Sequence, residues 1–506
     1  MTTSILQIGA IDWTPEITAP LDWHYTSIFD LPTFLATQKD PYILEQTYVV
    51  LTDDVLESSL LSSQIQEWPA FRVIYFATQI TPEFQTILSE RRAFAISETT
   101  PERVSKRILT DLYLGQQGFA TRFSETQFLP TVPSGIHFSR MGRFLARFEG
   151  DFGSEWQQIG TLQTLKTDFI ANQTNEIWLD YRQTDTAAAA LLFIFYRDGD
   201  ILTQDMIKGD ALRRMTQVQA PADYDSYQII VLGSGKGQLT LHVVHQRRSR
   251  HGLGHLLPGG QWQLTSEDEE VLSYFNPGTL PKPLVVNFSG ARLHVDGFEM
   301  ASAFNQLGVP YLLFTDARMQ GGAFDVGSPA YEQTVIDIIK RAMAELNLTS
   351  QDVILTGYSM GSYPAMYYAG DIKPGALVLA KPIINLGTLT ADAEFAHQYN
   401  QDWTLDVRRH LTGYVRPNDT EALNQKLWRH ISTVDWSTTT VALLTMAQDN
   451  YDGDSLPELL DYLDTHHALL THQVEAGYHN EKIDEMVDFM MTQLTQLRDN
   501  RLAEDE

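Results

Sequence analysis

Apolar positions recur along this chain in three different rhythms. In residues 1–135, short apolar runs alternate with helical stretches. Tyr48-Val49-Val50-Leu51-Thr52, Phe71-Arg72-Val73-Ile74-Tyr75-Phe76 and Arg92-Ala93-Phe94-Ala95-Ile96 each read as a buried strand. Thr100-Pro101-Glu102-Arg103 has the features of a helix start: a threonine N-cap, proline in the first position and an acid in the first turn. Strands alternating with helices predict a parallel sheet, and hence a Rossmann-like α/β domain. From 136 to 265 the period becomes that of strands. Ile177 to Arg182 alternates apolar and polar, and Leu191 to Tyr196 is continuously apolar. Tyr227–Leu232 and Leu239–Val244 flank the turn Gly233-Ser234-Gly235-Lys236-Gly237. Short strands joined by turns predict a β-sandwich, similar to a carbohydrate-binding module.

Residues 266–506 return to the α/β rhythm. Leu284–Phe288, Tyr311–Phe314, Val353–Thr356, Ala376–Ala380, Val441–Met446 and a run near His472–Glu475 read as strands. Gln333–Leu346 and a terminal segment carrying Ile483, Val487, Met490 and Leu494 have helical spacing. A polar helical insertion at about 390–432 is expected to sit above the sheet as a cap. The length of 506 residues agrees with about three domains.

Composition narrows the classes. The net charge is −28, which disfavours nucleic acid and anionic membranes as partners. There is no cysteine, so disulfides and thiolate metal sites are excluded. No metal site is expected. The N-terminus has no basic segment followed by a long apolar core, and the longest apolar run, Ala187–Tyr196, is too short to span a bilayer. A cytoplasmic protein without a transmembrane segment is expected. No Gly-x-Gly-x-x-Gly follows a strand in the first domain and no Walker lysine loop is present, so nothing supports a bound cofactor. A structural or partner-docking role suits that domain better. Trp178 and Tyr181 could stack on sugar rings, although core packing is the simpler expectation. The basic stretch His245-Gln246-Arg247-Arg248-Ser249-Arg250-His251 reads equally as a docking point for an acidic partner and as a clasp between domains.

The candidate chemistry lies at Gly357-Tyr358-Ser359-Met360-Gly361. A strand precedes this Gly-x-Ser-x-Gly and a helix-like run follows, the context of a nucleophile elbow. The serine must stand on a strained turn to project its hydroxyl, and the glycines let the strand and helix backbones approach closely. In that fold an acid and a histidine follow the serine on loops after late strands. His479 is the candidate base, preferred over His466, His467 and His472 for its glycine-led loop and the helix behind it. Asp449 is the candidate acid, with Asp452 and Asp454 in the same loop as alternatives. The backbone N–H of Met360 is expected to donate to an oxyanion. A second donor should come from the Ser289-Gly290-Ala291 loop, through Gly290 or Ala291.

Several further segments carry a resemblance: Gln246-Arg247-Arg248-Ser249-Arg250, Leu257-Pro258-Gly259-Gly260, Asn287-Phe288-Ser289-Gly290, Gly321-Gly322-Ala323-Phe324, the elbow itself, Lys381-Pro382 and His479-Asn480-Glu481. Over most of its length the chain resembles the second accessory secretory protein of the accessory Sec system, which exports serine-rich-repeat adhesins. The resemblance implies an α/β-hydrolase-like catalytic domain and O-acetyl transfer to N-acetylglucosamine on the glycosylated adhesin, from an acetyl donor that the sequence does not identify. It also implies partners, namely the other accessory secretory proteins and the accessory SecA motor, and work in the cytoplasm, at or near the membrane translocase. Ser359 and His479 match the family's nucleophile and base. The family acid can be glutamate, whereas this chain offers the shorter Asp449. Two other readings stay open: a non-catalytic scaffold or chaperone of the export complex, and a serine esterase.

Overall fold

Strand Thr47–Leu51 is buried at every position. Tyr48 and Val50 enter one apolar cluster with Ile5, Ile74, Val104 and Ile108, while Val49 and Leu51 enter another with Leu6, Leu61, Ile65 and Phe84. Burial on both faces marks a parallel strand between two helical layers. The computed structural model describes residues 2–37, 47–53, 55–56, 59–164, 169–292, 295–391, 403–413 and 419–503. Its first unit is a parallel sheet in the order Leu21–Thr26, Thr3–Ile8, Thr47–Leu51, Val73–Tyr75 and Phe94–Ala95. Helix Pro101–Asp111 follows, with Pro101 at its start, although Thr100 makes no side-chain cap.

The middle unit is antiparallel throughout. Its spine is the strand Ser226–Arg248. The first half pairs with Ala188–Arg197 and the second with Thr174–Gln183. On the other side lie Leu145–Leu162 and Gly118–Arg122. The two sheets expected of a sandwich are one hydrogen-bonded sheet of nine strands. One face gathers Phe148, Phe152, Leu179, Phe193, Ile229, Val231 and Leu241 into a single core. No long helix covers that face among the described residues, so the sheet curls over itself to bury it. The turn expected at Gly233–Gly237 is absent, because Ser226–Arg248 runs through those residues as one strand. The glycines instead allow close backbone approach, since a Cβ on Gly235, whose φ is 77°, would lie 2.0 Å from the Thr186 carbonyl oxygen. Tyr181 belongs to this core, and Trp178 packs edge-on against Trp262 of the C-terminal unit. Both are buried, so neither can stack on a sugar ring.

The unit boundaries fall earlier than the sequence rhythm suggests. Gly118–Arg122 and Phe128–Pro130 pair with the middle sheet, although residues 1–135 read as one α/β domain. Gln261–Leu264 and Glu270–Asn276 form the antiparallel edge of the last sheet. That sheet continues with Tyr311–Thr315, Leu284–Phe288, Val353–Tyr358, Ala376–Ala380, Thr440–Met446 and Leu469–Glu475. The strand that leads to Ser359 is therefore interior, with apolar clusters on both faces. The expected cap is partly described: residues 392–402 and 414–418 lie outside the described residues. Helices Trp403–Thr412 and Thr420–Ile431 pack through Val407, Leu427 and Ile431 into the cluster around helix Ser362–Ile372. They extend the helical layer on that face instead of forming a separate cap. No helix among the described residues is long and apolar enough to cross a membrane.

The basic stretch is a clasp, and the docking reading fails because Arg247 and Arg250 are fully buried. Arg247 donates to both oxygens of Glu270, at 2.9 and 3.0 Å, and to Asp296 at 2.8 Å, which ties the middle unit to the C-terminal one. His245 meets the same two carboxylates. Arg250 donates to the carbonyls of Asp111, Tyr113 and Gly115 in the N-terminal unit. Arg248 lies with its guanidinium 3.6 Å from the Tyr113 ring centroid. Removing one partner of a buried ion pair leaves an uncompensated charge, at a cost of about 3–5 kcal/mol. Arg247→Ala is therefore expected to lower the thermal midpoint by several degrees or to expose the unit boundary to protease. An unchanged melting curve would contradict the clasp.

Candidate active site

Residues Val353–Tyr358 end as a strand and Ser362–Ile372 begin as a helix, which leaves a tight corner at Ser359. Ser359 has φ 51°, a left-handed conformation that a side chain bearing a Cβ seldom adopts. The corner is close enough to exclude side chains at both glycines. A Cβ on Gly357 would lie 2.2 Å from the Gly361 carbonyl oxygen, and one on Gly361 would lie 2.0 Å from that of Phe288. The sequence thus places its two glycines where strand and helix touch, and the hydroxyl of Ser359 is turned outward.

His479 is brought there from the loop after Leu469–Glu475. Its Nε2 lies 2.8 Å from Ser359 Oγ and its Nδ1 lies 2.9 Å from Asp449 Oδ2. Beside a carboxylate, Nδ1 carries the proton and donates it, which leaves Nε2 as acceptor for the serine hydroxyl. His479 and Asp449 are almost fully buried, with side-chain exposures of 2% and 6%. Burial pushes the Asp449 carboxyl up, but the hydrogen bond from His479 and backbone N–H groups at Tyr451 and Asp452 hold it below its ordinary range. It is ionised at neutral pH.

The other candidates lie elsewhere. Asp452 accepts from the N–H groups of Ile384 and Asn385 and from the Ser455 hydroxyl, so its oxygens are engaged in holding that segment. Asp454 is exposed at the start of a 3-10 turn. Among the alternative histidines, His466 bonds the Tyr462 carbonyl and His472 meets the Thr445 hydroxyl. His467 lies in the turn after helix Leu456–Thr465, and it is His479 that meets the Ser359 hydroxyl.

The loop expected to supply an oxyanion donor needs one correction. The N–H of Gly290 donates to Glu299 Oε2 at 2.9 Å, so it is not free to receive an oxyanion. The N–H of Ala291, the next in line, has no protein acceptor among the described residues. Met360 follows the nucleophile directly, within the turn Ser359–Gly361.

Several residues of this site escape sequence reasoning. Tyr451 stacks on His479, with ring centroids 4.2 Å apart and an interplanar angle of 2°. Asn450 Oδ1 accepts the His479 N–H at 3.2 Å. Both stand next to Asp449, so the loop Asp449-Asn450-Tyr451 could have been read as one unit. Lys381, buried and at φ 51°, donates to the Glu481 carbonyl. Burial pushes its ammonium pKa down, while Asp449 and nearby glutamates raise it. It braces the loop that carries His479.

A second charged cluster lies behind the Gly321–Phe324 loop. Asp316 accepts from both ends of the Arg318 guanidinium and from the N–H groups of Ala323 and Asp325. Asp325 is buried beside Asp316. Burial, followed by that second carboxylate, lifts its carboxyl from the ordinary 3.8 to about 8. A carboxyl raised in the folded state contributes stability that is fully present below its unfolded value and is lost as pH rises through the folded one. Asp325→Asn keeps an acceptor for the Tyr331 hydroxyl. It is therefore expected to gain in thermal midpoint over the natural chain as pH rises from 4 to 8, read by melting curves across that range. A constant difference would reject the assignment.

Three comparisons bear on this arrangement. The family model of the second accessory secretory protein, described as "Accessory Sec system GspB-transporter", matches residues 3–503. An accessory Sec system protein of Streptococcus gordonii, the second of its accessory secretory proteins, is 29% identical over 506 residues, which covers 96% of each chain. A protein of the same name from Staphylococcus aureus is 32% identical over 339 residues, covering 66% of this chain and 64% of its own. Among solved structures, a chain of the "Glycosylation Associate Protein (Gap123) complex" from Streptococcus agalactiae is similar at a TM-score of 0.81 with 25% identity. That match covers 97% of this chain and 98% of the other.

Proposed function

Since the chain belongs to the family of the second accessory secretory protein, the accessory Sec system GspB transporter, we propose that it transfers an acetyl group to N-acetylglucosamine on a serine-rich-repeat adhesin bound for export. The observation that carries this reading is the unbroken line from Ser359 Oγ through His479 to Asp449, with contacts of 2.8 and 2.9 Å. It stands on a corner whose strained serine a scaffold would not need.

The steps follow from the geometry. A serine hydroxyl is a weak nucleophile until a base takes its proton. As Oγ attacks the acetyl carbonyl carbon of the donor, Nε2 of His479 takes that proton, and the carbonyl electrons move onto oxygen. The oxyanion is met by the N–H groups of Met360 and Ala291. When the carbonyl re-forms, the bond to the donor's leaving group breaks and His479 returns the proton to that group. The acetyl-Ser359 ester remains. A sugar hydroxyl then loses its proton to His479, attacks the ester and leaves as the O-acetyl sugar, with the proton restored to Ser359. Throughout, Asp449 fixes the imidazole tautomer and stabilises the imidazolium. Water in place of the sugar would give an esterase by the same route, so the acceptor decides the outcome.

The relative in the Gap123 complex supports a further part of the reading: the chain works bound to other accessory secretory proteins. The glycosylated adhesin and the accessory SecA motor are its other partners, and the cytoplasm beside the translocase is its place. The test is mass spectrometry of the adhesin glycans from cells with and without this protein, paired with acetate release by the purified chain with and without acceptor. Acetylated glycan only in the presence of the protein supports transfer. Acetate release that acceptor does not suppress, with unmodified glycans, would leave an esterase.

A further inference from the structure

The Glu299 side chain is 18% exposed and sits at the back of the oxyanion corner. Its Oε2 accepts two hydrogen bonds, one from the N–H of Gly290 at 2.9 Å and one from the hydroxyl of Tyr358 at 2.7 Å. Gly290 immediately precedes Ala291, and Tyr358 immediately precedes the nucleophile and lies two residues before Met360. One oxygen therefore joins the two chain segments that carry the two oxyanion donors. The join is tight, because a Cβ on Gly290 would come within 2.6 Å of the Tyr358 ring. Burial, then the neighbouring Glu299 carboxylate, pushes the Tyr358 phenol far above its ordinary range, so it remains the donor at any working pH.

The same two segments are tied on the other side. Arg292 bridges to Gly321, and a Cβ on Gly322 would lie 2.7 Å from the Met360 side chain. The contacts thus close a ring around the donors. A carboxylate so near a developing oxyanion would oppose it on its own. Arg292 Nη1 donates to Glu299 Oε1 at 3.2 Å and offsets that charge.

We propose that Glu299 is a positioning residue for acyl transfer: it fixes the spacing between the Ala291 and Met360 N–H groups without touching the substrate. The proposal rests on the acyl-transfer reading above. Oxyanion donors act only within about 2.7–3.1 Å of the oxygen they stabilise, and loss of one costs roughly a hundredfold to a thousandfold in kcat. A misplacement of about 1 Å can cost a hundredfold. Because the donors engage the tetrahedral state more than the ground state, the loss should fall on kcat and spare KM.

The test uses the full chain, with p-nitrophenyl acetate as acyl probe and a peptidic trifluoromethyl ketone as tetrahedral mimic. Glu299→Ala is expected to lower kcat about a hundredfold with KM within about twofold, and to weaken the mimic by a similar factor. Glu299→Gln, which keeps an acceptor, should recover most of the rate. Tyr358→Phe should lower kcat less and in the same way, and the double variant should be no slower than Glu299→Ala. A folded Glu299→Ala with unchanged kcat, or with the loss in KM, overturns the proposal. If Glu299→Ala does not fold, Tyr358→Phe decides, and an unchanged kcat there overturns it equally. Ser359→Ala run beside them separates the two levels. If that variant hydrolyses the probe at the natural rate, the acyl-transfer reading itself fails. If it is dead while Glu299→Ala is unaffected, only the positioning role is lost.

Discussion

Ser359→Ala is expected to give an intact protein and an unmodified glycan. Alanine lacks only the hydroxyl, and it meets the same φ of 51° that serine already meets. The elbow should form as before, because its closeness is set by Gly357 and Gly361 and not by the serine oxygen. The lost contact is the 2.8 Å hydrogen bond to His479. Net, such a bond is worth about 1 kcal/mol, so the melting curve should move by a few degrees at most. Acyl transfer should fall about a millionfold, to the residual catalysis of oxyanion donors and binding. His479→Ala should fall as far, and the pair together no further, since the two act as one unit. The measurement is glycan mass spectrometry in cells that carry the variant, with export followed in parallel. Acetylated glycan at the natural level would return the chain to the scaffold reading. Export lost along with acetylation would mean that the modification and transport are coupled.

How much of this is legible in the sequence follows from the range over which each signal acts. The interior parallel strands of the last unit are continuous apolar runs with both faces covered, so their type can be read directly, whereas the edge strand Leu469–Glu475 is mostly exposed and gives a weaker signal. Ser359, His479 and Asp449 are legible as candidates for a related reason: each follows the end of a strand, and strand ends are visible. The unit boundaries are not. Gly118–Arg122 is a short strand whose partner lies more than a hundred residues away, in Ser226–Arg248, and no local pattern announces that pairing. The basic stretch is ambiguous because a buried arginine and an exposed one look the same in a sequence. Only the positions of Glu270 and Asp296 make Arg247 internal. Gly290 reads as an oxyanion donor because its N–H partner, Glu299, comes from a loop with no recognisable spacing.

The choice of acid gives the second large effect, and it separates two neighbours by what each holds. Asp449→Asn keeps the size of the side chain but removes the charge. The amide can present its oxygen to His479 Nδ1, yet it cannot stabilise the imidazolium. If it turns its NH2 inward, it forces the proton onto Nε2, the nitrogen that must accept from Ser359. In a comparable triad this single change cost about ten-thousandfold in kcat, and a loss of that order is expected here. Asp449→Glu should keep measurable activity, because the same charge can reach Nδ1 with a small loop shift. Asp452→Asn is the contrast. Asp452 holds the N–H groups of Ile384 and Asn385, at 2.5 and 2.8 Å, and the Ser455 hydroxyl. Burial pushes its carboxyl up, so it gives up a proton less readily than an exposed aspartate does. Its replacement should lower the melting temperature and leave kcat within about threefold, since a carboxylate acceptor for two backbone N–H groups is lost but no charge beside His479. The two variants should therefore trade signatures, one losing rate at constant stability and the other stability at nearly constant rate. Equal loss of rate in both, with equal melting curves, would mean that the loop acts as a whole and that Asp449 has no special part.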